Sequence, residues 1–229
     1  SGNALCVLRT LREYIDCSGA IIGENGAVVE YRGELRVLGE KEDAKRALAG
    51  LKEKIGDKIV ESWSNPYRHV AVALRKTVDK DSVAAVLVNF PTVRLLDSGY
   101  AYHIVDKSVD KGRGLRVAAE LMGISLEEIV AVGDSETDVR LLETAGCGIA
   151  LANAHESLKA VADHVTTMRG GEGFAETTRI ILSKRGRKTA YIAGPIQGME
   201  ENQSYRETLR RILTAHGYGV LDPWQHERA

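Results

Sequence analysis

The sequence has few cysteines, almost no net charge and no long apolar run. Its 229 residues include three cysteines, and 31 Lys and Arg balance 32 Asp and Glu to a net charge of −1. Cys6, Cys17 and Cys147 are odd in number and lack close pairing, which argues against a disulfide or zinc framework and favours buried thiols in a reducing cytoplasm. The near-neutral charge gives no indication of a nucleic-acid or membrane partner.

No apolar run approaches the roughly 20 residues that span a bilayer, and no charged-then-apolar leader precedes the first predicted strand. The length and the 44% hydrophobic content suit one large or two small globular domains. We therefore expect a cytoplasmic protein and leave a homodimer open. The chain starts at Ser1-Gly2-Asn3 without a Met, so we expect it to be a fragment.

The apolar residues 129–132 run directly into Gly133-Asp134 and a polar turn, which predicts a buried parallel strand ending in a loop. Ligands of open α/β sheets bind beyond the carboxyl ends of the strands. Asp134 and Asp138, four residues apart, can face one pocket there and hold Mg²⁺. The alternative is a strand followed by an Asp that only caps the next helix. The motif by itself does not decide between them.

Strand-like and helical patterns alternate along the rest of the chain. Asn25-Gly26 is a strong hairpin signal. Residues 41–105 have the order αββαββ, which predicts an antiparallel sheet with helices on one face, inserted into a parallel α/β unit. The predicted helices are 4–14, 41–55, 79–89, 111–122, 138–145, 156–162 and 174–182, and the predicted strands beyond the hairpin are 58–63, 69–74, 92–96, 100–105, 129–132, 148–151 and 164–166.

The order of these motifs resembles the haloacid dehalogenase superfamily of phosphatases, in the branch with a C2-type cap. Five segments between residue 1 and about residue 183 match its signatures: Ser1-Gly2-Asn3, Glu24-Asn25-Gly26-Ala27, Lys111, the acidic segment 133–138, and Asn153-Ala154. The resemblance implies a Rossmann-like parallel-sheet core. Residues 1–38 and 107–183 would form this core and 39–106 the cap. Residues 97–103 and 169–173 further resemble archaeal phosphoglycolate phosphatases, although related sugar-phosphate phosphatases share the scaffold.

The resemblance also implies a chemistry. In the family an aspartate attacks phosphorus, water releases the resulting aspartyl-phosphate, and Mg²⁺ offsets the repulsion between phosphate and carboxylates. By resemblance, Asp134 binds Mg²⁺ and Asp138 supports it, as ligand or behind the ligand. Lys111 would screen charge at the phosphate. The Ser1 hydroxyl and backbone groups of Gly2 and Asn3 would donate to its oxygens.

Several of these residues have a simpler interpretation. Lys111 could be an ordinary solvated lysine at a helix start, and Asn153, a phosphate-binding candidate, could be a turn residue. Arg68 could clamp a substrate carboxylate with two hydrogen bonds or be a plain surface arginine. His103, in a cap strand, is more often structural than catalytic.

The nucleophile of the family lies in an Asp-x-Asp motif that precedes the Ser/Thr motif. The only Asp-x-Asp in this chain is Asp79-Lys80-Asp81, which we interpret as the start of a helix in the insert and reject as the nucleophile. We therefore expect the nucleophile to lie upstream of Ser1 and the 229-residue chain to have negligible activity. A non-catalytic phosphate-binding module is the alternative.

Residues 184–188 are basic and polar, which is typical of a linker. The tail 189–229 predicts a βαβ unit, and Tyr191-Ile192-Ala193-Gly194-Pro195 with Asp222-Pro223 resembles the start of nucleoside 2-deoxyribosyltransferase-like proteins. A function in nucleotide salvage would need a glutamate beyond Ala229. The resemblance also implies that the first β-α unit of the phosphatase sheet lies upstream of Ser1. The other possibility is that the βαβ unit of the tail takes its place in the sheet.

Overall fold

A computed structural model describes residues 1–183, so the predicted linker and the predicted βαβ tail lie outside the described residues. The described chain forms two compact units, of which one contains residues 1–9 and 20–122 and the other residues 10–19 and 123–183. The core and cap boundaries expected from the resemblance stay a prediction. None of the helices within residues 1–183 is long and apolar enough to cross a membrane.

The elements in chain order are α1 (Leu5–Tyr14), β1 (Ile21–Gly23), β2 (Val28–Tyr31), β3 (Glu34–Val37), α2 (Glu42–Ile55), β4 (Val72–Arg75), α3 (Lys80–Leu87), β5 (Val93–Asp97), β6 (Ala101–Asp106), α4 (Lys111–Met122), β7 (Val130–Gly133), α5 (Val139–Thr144), β8 (Cys147–Ala150), α6 (Glu156–Lys159), β9 (His164–Val165) and α7 (Gly170–Ser183).

The first sheet is an antiparallel meander of β1, β2 and β3. The predicted hairpin is confirmed, and its connection is the 3-10 turn Glu24–Gly26. β3 had not been predicted. It is exposed along its whole length, so it contributes no apolar run to the core that the sequence could have revealed.

The second sheet of the first unit has the order β4-β6-β5, with antiparallel neighbours. Leu51 of α2 and Val83 of α3 pack with Leu74 and Ile104 of this sheet in one buried apolar cluster. Burying such side chains stabilises the unit by about 1.5–3 kcal/mol for each one. The helices and the 93–106 hairpin follow the predicted pattern.

The predicted strand at 58–63 is wrong. The segment forms only an isolated bridge, Glu61 to Leu74. The amide of Ala73 donates to the side-chain Oδ1 of Asn65 at 2.8 Å, so a side chain takes the place of a neighbouring strand carbonyl. Among residues 58–63 only Ile59 is buried, so little apolar surface holds the segment to the sheet. The sheet therefore has three strands where the sequence predicts four.

The second unit contains the parallel sheet β7-β8-β9. Val130 and Val132 of β7 pack with Ile149 of β8 and with Phe174 of α7. The parallel order confirms the Rossmann-like pattern predicted from the buried apolar runs. Helix α7 begins at Gly170, four residues before the predicted helix 174–182. The Gly170 amide donates to Asn153 Oδ1 at 2.8 Å, which caps the helix from a distant loop and not from an adjacent residue.

Candidate active site

The Ser1–Asn3 segment is fixed by the 3-10 turn between β1 and β2. The Asn25 amide donates to the Ser1 carbonyl at 2.8 Å, and the Glu24 amide donates to the Asn3 carbonyl at 3.0 Å. The Asn3 amide donates to Ser1 Oγ at 3.2 Å. The predicted donation of these groups to phosphate stays a prediction, but the backbone that would carry it has a defined conformation.

Gly26 explains how the same turn positions the start of α4. Its φ is +99°, and a Cβ added there would overlap the carbonyl of Asp110. Asp110 Oδ1 in turn accepts the amide of Arg113 at 2.7 Å, so it caps α4 and Lys111 is the first helical residue. Lys111 is 8% exposed. The interpretation of Lys111 as an ordinary solvated lysine is therefore wrong.

Glu24 is a fully buried carboxylate whose role the sequence did not reveal. Its oxygens accept hydrogen bonds from three consecutive backbone amides, those of His69 at 2.7 Å, Val70 at 3.0 Å and Ala71 at 2.8 Å. Three such bonds offset much of the cost of burying a charge. Glu24 therefore fastens the 3-10 turn to the segment that leads into β4. The sequence offered two signals, the match of Glu24-Asn25-Gly26-Ala27 to a family signature and an acidic residue flanked by two apolar strands.

Arg68 lies immediately before this fastened segment and is 6% exposed, so its interpretation as a plain surface arginine is wrong. Its Nη1 donates to the carbonyl of Gly2 at 2.9 Å, and its Nε donates to Ser64 Oγ at 3.1 Å. Burial lowers the pKa of the Arg68 guanidinium, and the Glu24 carboxylate opposes this shift. Arginine stays protonated under such conditions, so a buried positive charge lies against Gly2.

His103 of β6 is also buried beside Gly2. A Cβ added at Gly2 would lie 3.5 Å from His103 Nε2. Burial, with smaller contributions from the charges of Arg68 and Lys111, lowers the pKa of His103 to about 3. The imidazole is therefore neutral at physiological pH. Its Nε2 lies 3.2 Å from Ser98 Oγ.

In the second unit, β7 delivers Asp134 to the loop beyond its carboxyl end, as predicted. Asp138 Oδ2 accepts the amides of Asp134 at 3.3 Å and Ser135 at 3.1 Å, and Asp138 is 3% exposed. A Cβ at Gly133 would lie 2.6 Å from the Asp138 Cβ. Gly133 therefore leaves room for the Asp138 carboxylate to fold back under the turn. The helix α5 begins directly after Asp138.

The loop after β8 contacts the loop after β7. The amide of His155 donates to the backbone carbonyl of Asp134 at 3.1 Å. Asn153, two residues earlier, is exposed and uses its Oδ1 to hold Gly170. Asn153 thus has a structural role in joining two loops. Its predicted contact with phosphate stays a prediction.

The predicted site residues fall into two sets, one in each unit. The first unit brings together Ser1, Gly2, Asn3 and Arg68, with Lys111 on the helix packed against the same turn. The second unit brings together Asp134, Asp138 and the loop that carries Asn153. Within residues 1–183, no three His, Cys, Asp or Glu side chains form a metal-binding cluster.

Comparison with known proteins supports the same family. Residues 89–177 match the haloacid dehalogenase-like hydrolase family. The phosphoglycolate phosphatase of Archaeoglobus fulgidus is 42% identical over 183 residues, which cover 79% of this chain and 80% of the relative. That of Methanothermobacter thermautotrophicus is 38% identical over 179 residues, covering 78% of this chain and 80% of the relative. The chain belongs to the haloacid dehalogenase-like hydrolases.

A solved structure from Thermoplasma acidophilum has the same fold, with a TM-score of 0.71 and 22% identity over 79% of this chain and 80% of its own. Membership in the haloacid dehalogenase-like family confirms the predicted superfamily and the α/β class. The two archaeal relatives confirm the predicted class of enzyme, the phosphoric monoester hydrolases. The roles of the individual site residues are not decided by these likenesses.

Proposed function

We propose that this chain belongs to a Mg²⁺-dependent phosphatase of small phosphate monoesters, with 2-phosphoglycolate as the substrate. The observation that carries the proposal is the end of β7, where Asp134 and Asp138 lie in the position that α/β sheets use for ligands. The names of the two archaeal relatives favour phosphoglycolate over sugar phosphates.

The acids present fit a magnesium ion. Mg²⁺ is usually held by one or two carboxylates, several waters and the oxygens of a substrate phosphate. Asp134 would hold the ion. Asp138 has one oxygen committed to two backbone amides, so its part is to fix the loop that presents Asp134. When bound, the ion would neutralise the charge of the phosphate oxygens.

The residues of the first unit have separate tasks in the proposed reaction. Lys111 places a positive charge next to the phosphate, and its burial keeps water from screening that charge. The Ser1–Asn3 segment donates to the phosphate oxygens. The 3-10 turn holds this backbone in place before the substrate arrives.

We infer that the attacking aspartate is absent from this chain. Asp79 accepts hydrogen bonds from the amide of Ser82 at 2.8 Å and from its hydroxyl at 2.7 Å. Asp79 is therefore the N-cap of α3 and serves the helix. This observation favours the second candidate function, a phosphate-binding module without turnover.

One set of measurements separates the two candidates. The coding sequence upstream of Ser1 is recovered, and the longer protein and the 229-residue chain are assayed with 2-phosphoglycolate and a panel of sugar phosphates, with Mg²⁺ and with EDTA. We expect Mg²⁺-dependent turnover, fastest with 2-phosphoglycolate, by the longer protein alone. Robust turnover by the 229-residue chain contradicts the inference about the nucleophile. An upstream sequence without Asp-x-Asp supports the binding module.

A further inference from the structure

Three buried polar side chains from distant parts of the chain meet at Gly2. The Nη1 of Arg68 donates to its carbonyl at 2.9 Å. A Cβ added at Gly2 would lie 3.2 Å from Asn25 Oδ1 and 3.5 Å from His103 Nε2. Asn25 is 2% exposed, His103 4% and Arg68 6%. Charged and amide side chains are seldom buried this fully.

The hydrogen-bonding capacity of this group is only partly used. Among residues 1–183, the buried Nδ2 of Asn25 and the buried Nδ1 of His103 have no partner. Arg68 bonds through Nε and Nη1, and its Nη2 has no hydrogen bond to any residue that the structure describes. Folded proteins rarely leave a buried donor unsatisfied, so the side-chain amide of Asn25 calls for a ligand.

The charges around Gly2 favour an anion. Arg68 is positive, and both Arg68 and Lys111 are close enough to lower the pKa of His103. Ser98 Oγ donates to the Ala101 carbonyl at 3.0 Å, so His103 Nε2 is the donor in its contact with Ser98 and the ring is neutral. The carboxylate of Glu24 is directed at the three backbone amides before β4.

We propose that Arg68 and Asn25 form a subsite for the carboxylate of the substrate, next to the Ser1–Asn3 segment. The Nη2 of Arg68 and the Nδ2 of Asn25 would donate to the carboxylate oxygens, a pairing that the planar guanidinium makes strong and directional. His103 lines the subsite as a neutral ring. The proposal rests on the proposed function and specifies its substrate class as short phosphorylated carboxylic acids.

The first test compares three phosphate esters for binding to the 229-residue chain with Mg²⁺, by isothermal titration calorimetry. The esters are 2-phosphoglycolate, 2-hydroxyethyl phosphate, in which a neutral hydroxyl replaces the carboxylate, and phosphoethanolamine, in which an ammonium replaces it. We expect 2-phosphoglycolate to bind about tenfold more tightly than 2-hydroxyethyl phosphate, as for one charge-assisted pair. Phosphoethanolamine should bind most weakly.

Two variants and one control locate the preference. Arg68→Lys keeps the charge but loses the planar fork, and it should reduce the tenfold ratio to about threefold or less. Asn25→Asp suits the left-handed backbone of Asn25, whose φ is +60°. It should weaken 2-phosphoglycolate and strengthen phosphoethanolamine. Arg75→Lys, at the exposed end of β4, should keep the wild-type ratio.

The outcomes separate the subsite from the function on which it rests. Equal binding of 2-phosphoglycolate and 2-hydroxyethyl phosphate by the wild-type chain overturns the subsite and leaves the phosphatase proposal intact. An unchanged ratio in folded Arg68→Lys also overturns it. If none of the three esters binds, both proposals are overturned. If Arg68→Lys does not fold, the wild-type series and Asn25→Asp decide.

Discussion

The carboxylate of Asp138 accepts the backbone amide of Asp134, with 3.3 Å between Oδ2 and N. The same oxygen accepts the amide of Ser135. Asp138→Asn keeps the shape but replaces a charged acceptor by a neutral amide. We expect it to lower the free energy of unfolding by about 2 kcal/mol, measured by urea denaturation. Glu136→Gln, in the exposed part of the same turn, should change it by less than about 0.5 kcal/mol. Equal effects of the two variants would contradict this role.

Asp134→Asn should act on metal binding more than on folding. Asp134 is only half-buried at the end of β7, so removal of its charge should change the unfolding free energy by less than about 1 kcal/mol. Calorimetric titration of the chain with Mg²⁺ should show weak binding, and the variant should bind at least about tenfold more weakly because it loses the charged ligand. Identical Mg²⁺ affinity in the two proteins would remove Asp134 from the metal site.

Gly26→Ala should be severely destabilising. The new methyl group would overlap the Asp110 carbonyl, and the backbone there has a φ of +99°. We expect a loss of about 3 kcal/mol or more in thermal or urea unfolding. Gly33→Ala is a matched control, because Gly33 has a φ of +85° with nothing within 4 Å of the added Cβ. It should cost only the backbone strain, about 1 kcal/mol. Similar losses at both positions would show that packing against α4 is unimportant.

Glu24→Gln should cost about 2–4 kcal/mol, because an amide cannot accept all three backbone donors before β4 and would face one of them with its own N–H. Circular dichroism during urea titration measures this loss. Glu34→Gln is the control, since Glu34 is exposed on β3 and pairs with Arg36. That change should stay within about 0.5 kcal/mol. A Glu24→Gln variant with unchanged free energy of unfolding would show that the three bonds contribute nothing to stability.

The pKa of His103 predicts a specific pH dependence of stability. Burial lowers this pKa to about 3 in the folded chain, against about 6.5 in the unfolded chain. The unfolded state therefore binds the proton first. Above about pH 6.5 the ring is neutral in both states, and the free energy of unfolding has its full value. As the pH falls toward 3, that free energy decreases by up to about 1.4 kcal/mol per pH unit.

His103→Gln removes the imidazole that binds this proton. Urea denaturation of both proteins between pH 4 and pH 7 should give a stability curve for the variant that is flatter by about that amount per pH unit. The other acidic and basic groups cancel in the difference between the two proteins. Parallel curves would show that His103 does not titrate between the folded and the unfolded state.

The elements with strong local signals were predictable from the sequence. Helix α4 was predicted with both ends correct, because its apolar periodicity and a capping Asp110 are written in adjacent residues. Strand β7 was predicted to within one residue, since a short β-branched run ended in Gly133. The fold class followed from the order of such elements. β3 was not predictable because it is exposed along its whole length and buries no apolar run. The 58–63 segment was mispredicted because little apolar surface holds it to the sheet and only Glu61 forms a bridge, to Leu74.

The positions of the candidate residues in the fold were predictable, but their contacts were not. Asp134 and Lys111 stand next to a strand end and a helix start, so their type and position were informative. The burial of Arg68 depends on the carbonyl of Gly2, 66 residues away, and no local pattern contains that distance. The turn at Asn25 was visible as a hairpin signal. The unsatisfied side-chain amide of Asn25 was not visible, since the lack of a partner results from the packing around the turn.

The three bonds of Glu24 have a consequence for the way this enzyme family can change its substrates. Arg68 is adjacent to His69, the first residue that Glu24 holds. The separation between Arg68 and the Ser1–Asn3 segment is therefore set by a carboxylate that no substrate would touch. Natural variation at Glu24, or in the length of the chain between Glu24 and Arg68, would shift the spacing between the proposed phosphate and carboxylate contacts. Selection for a longer or shorter acid can thus act on a residue outside the contact surface.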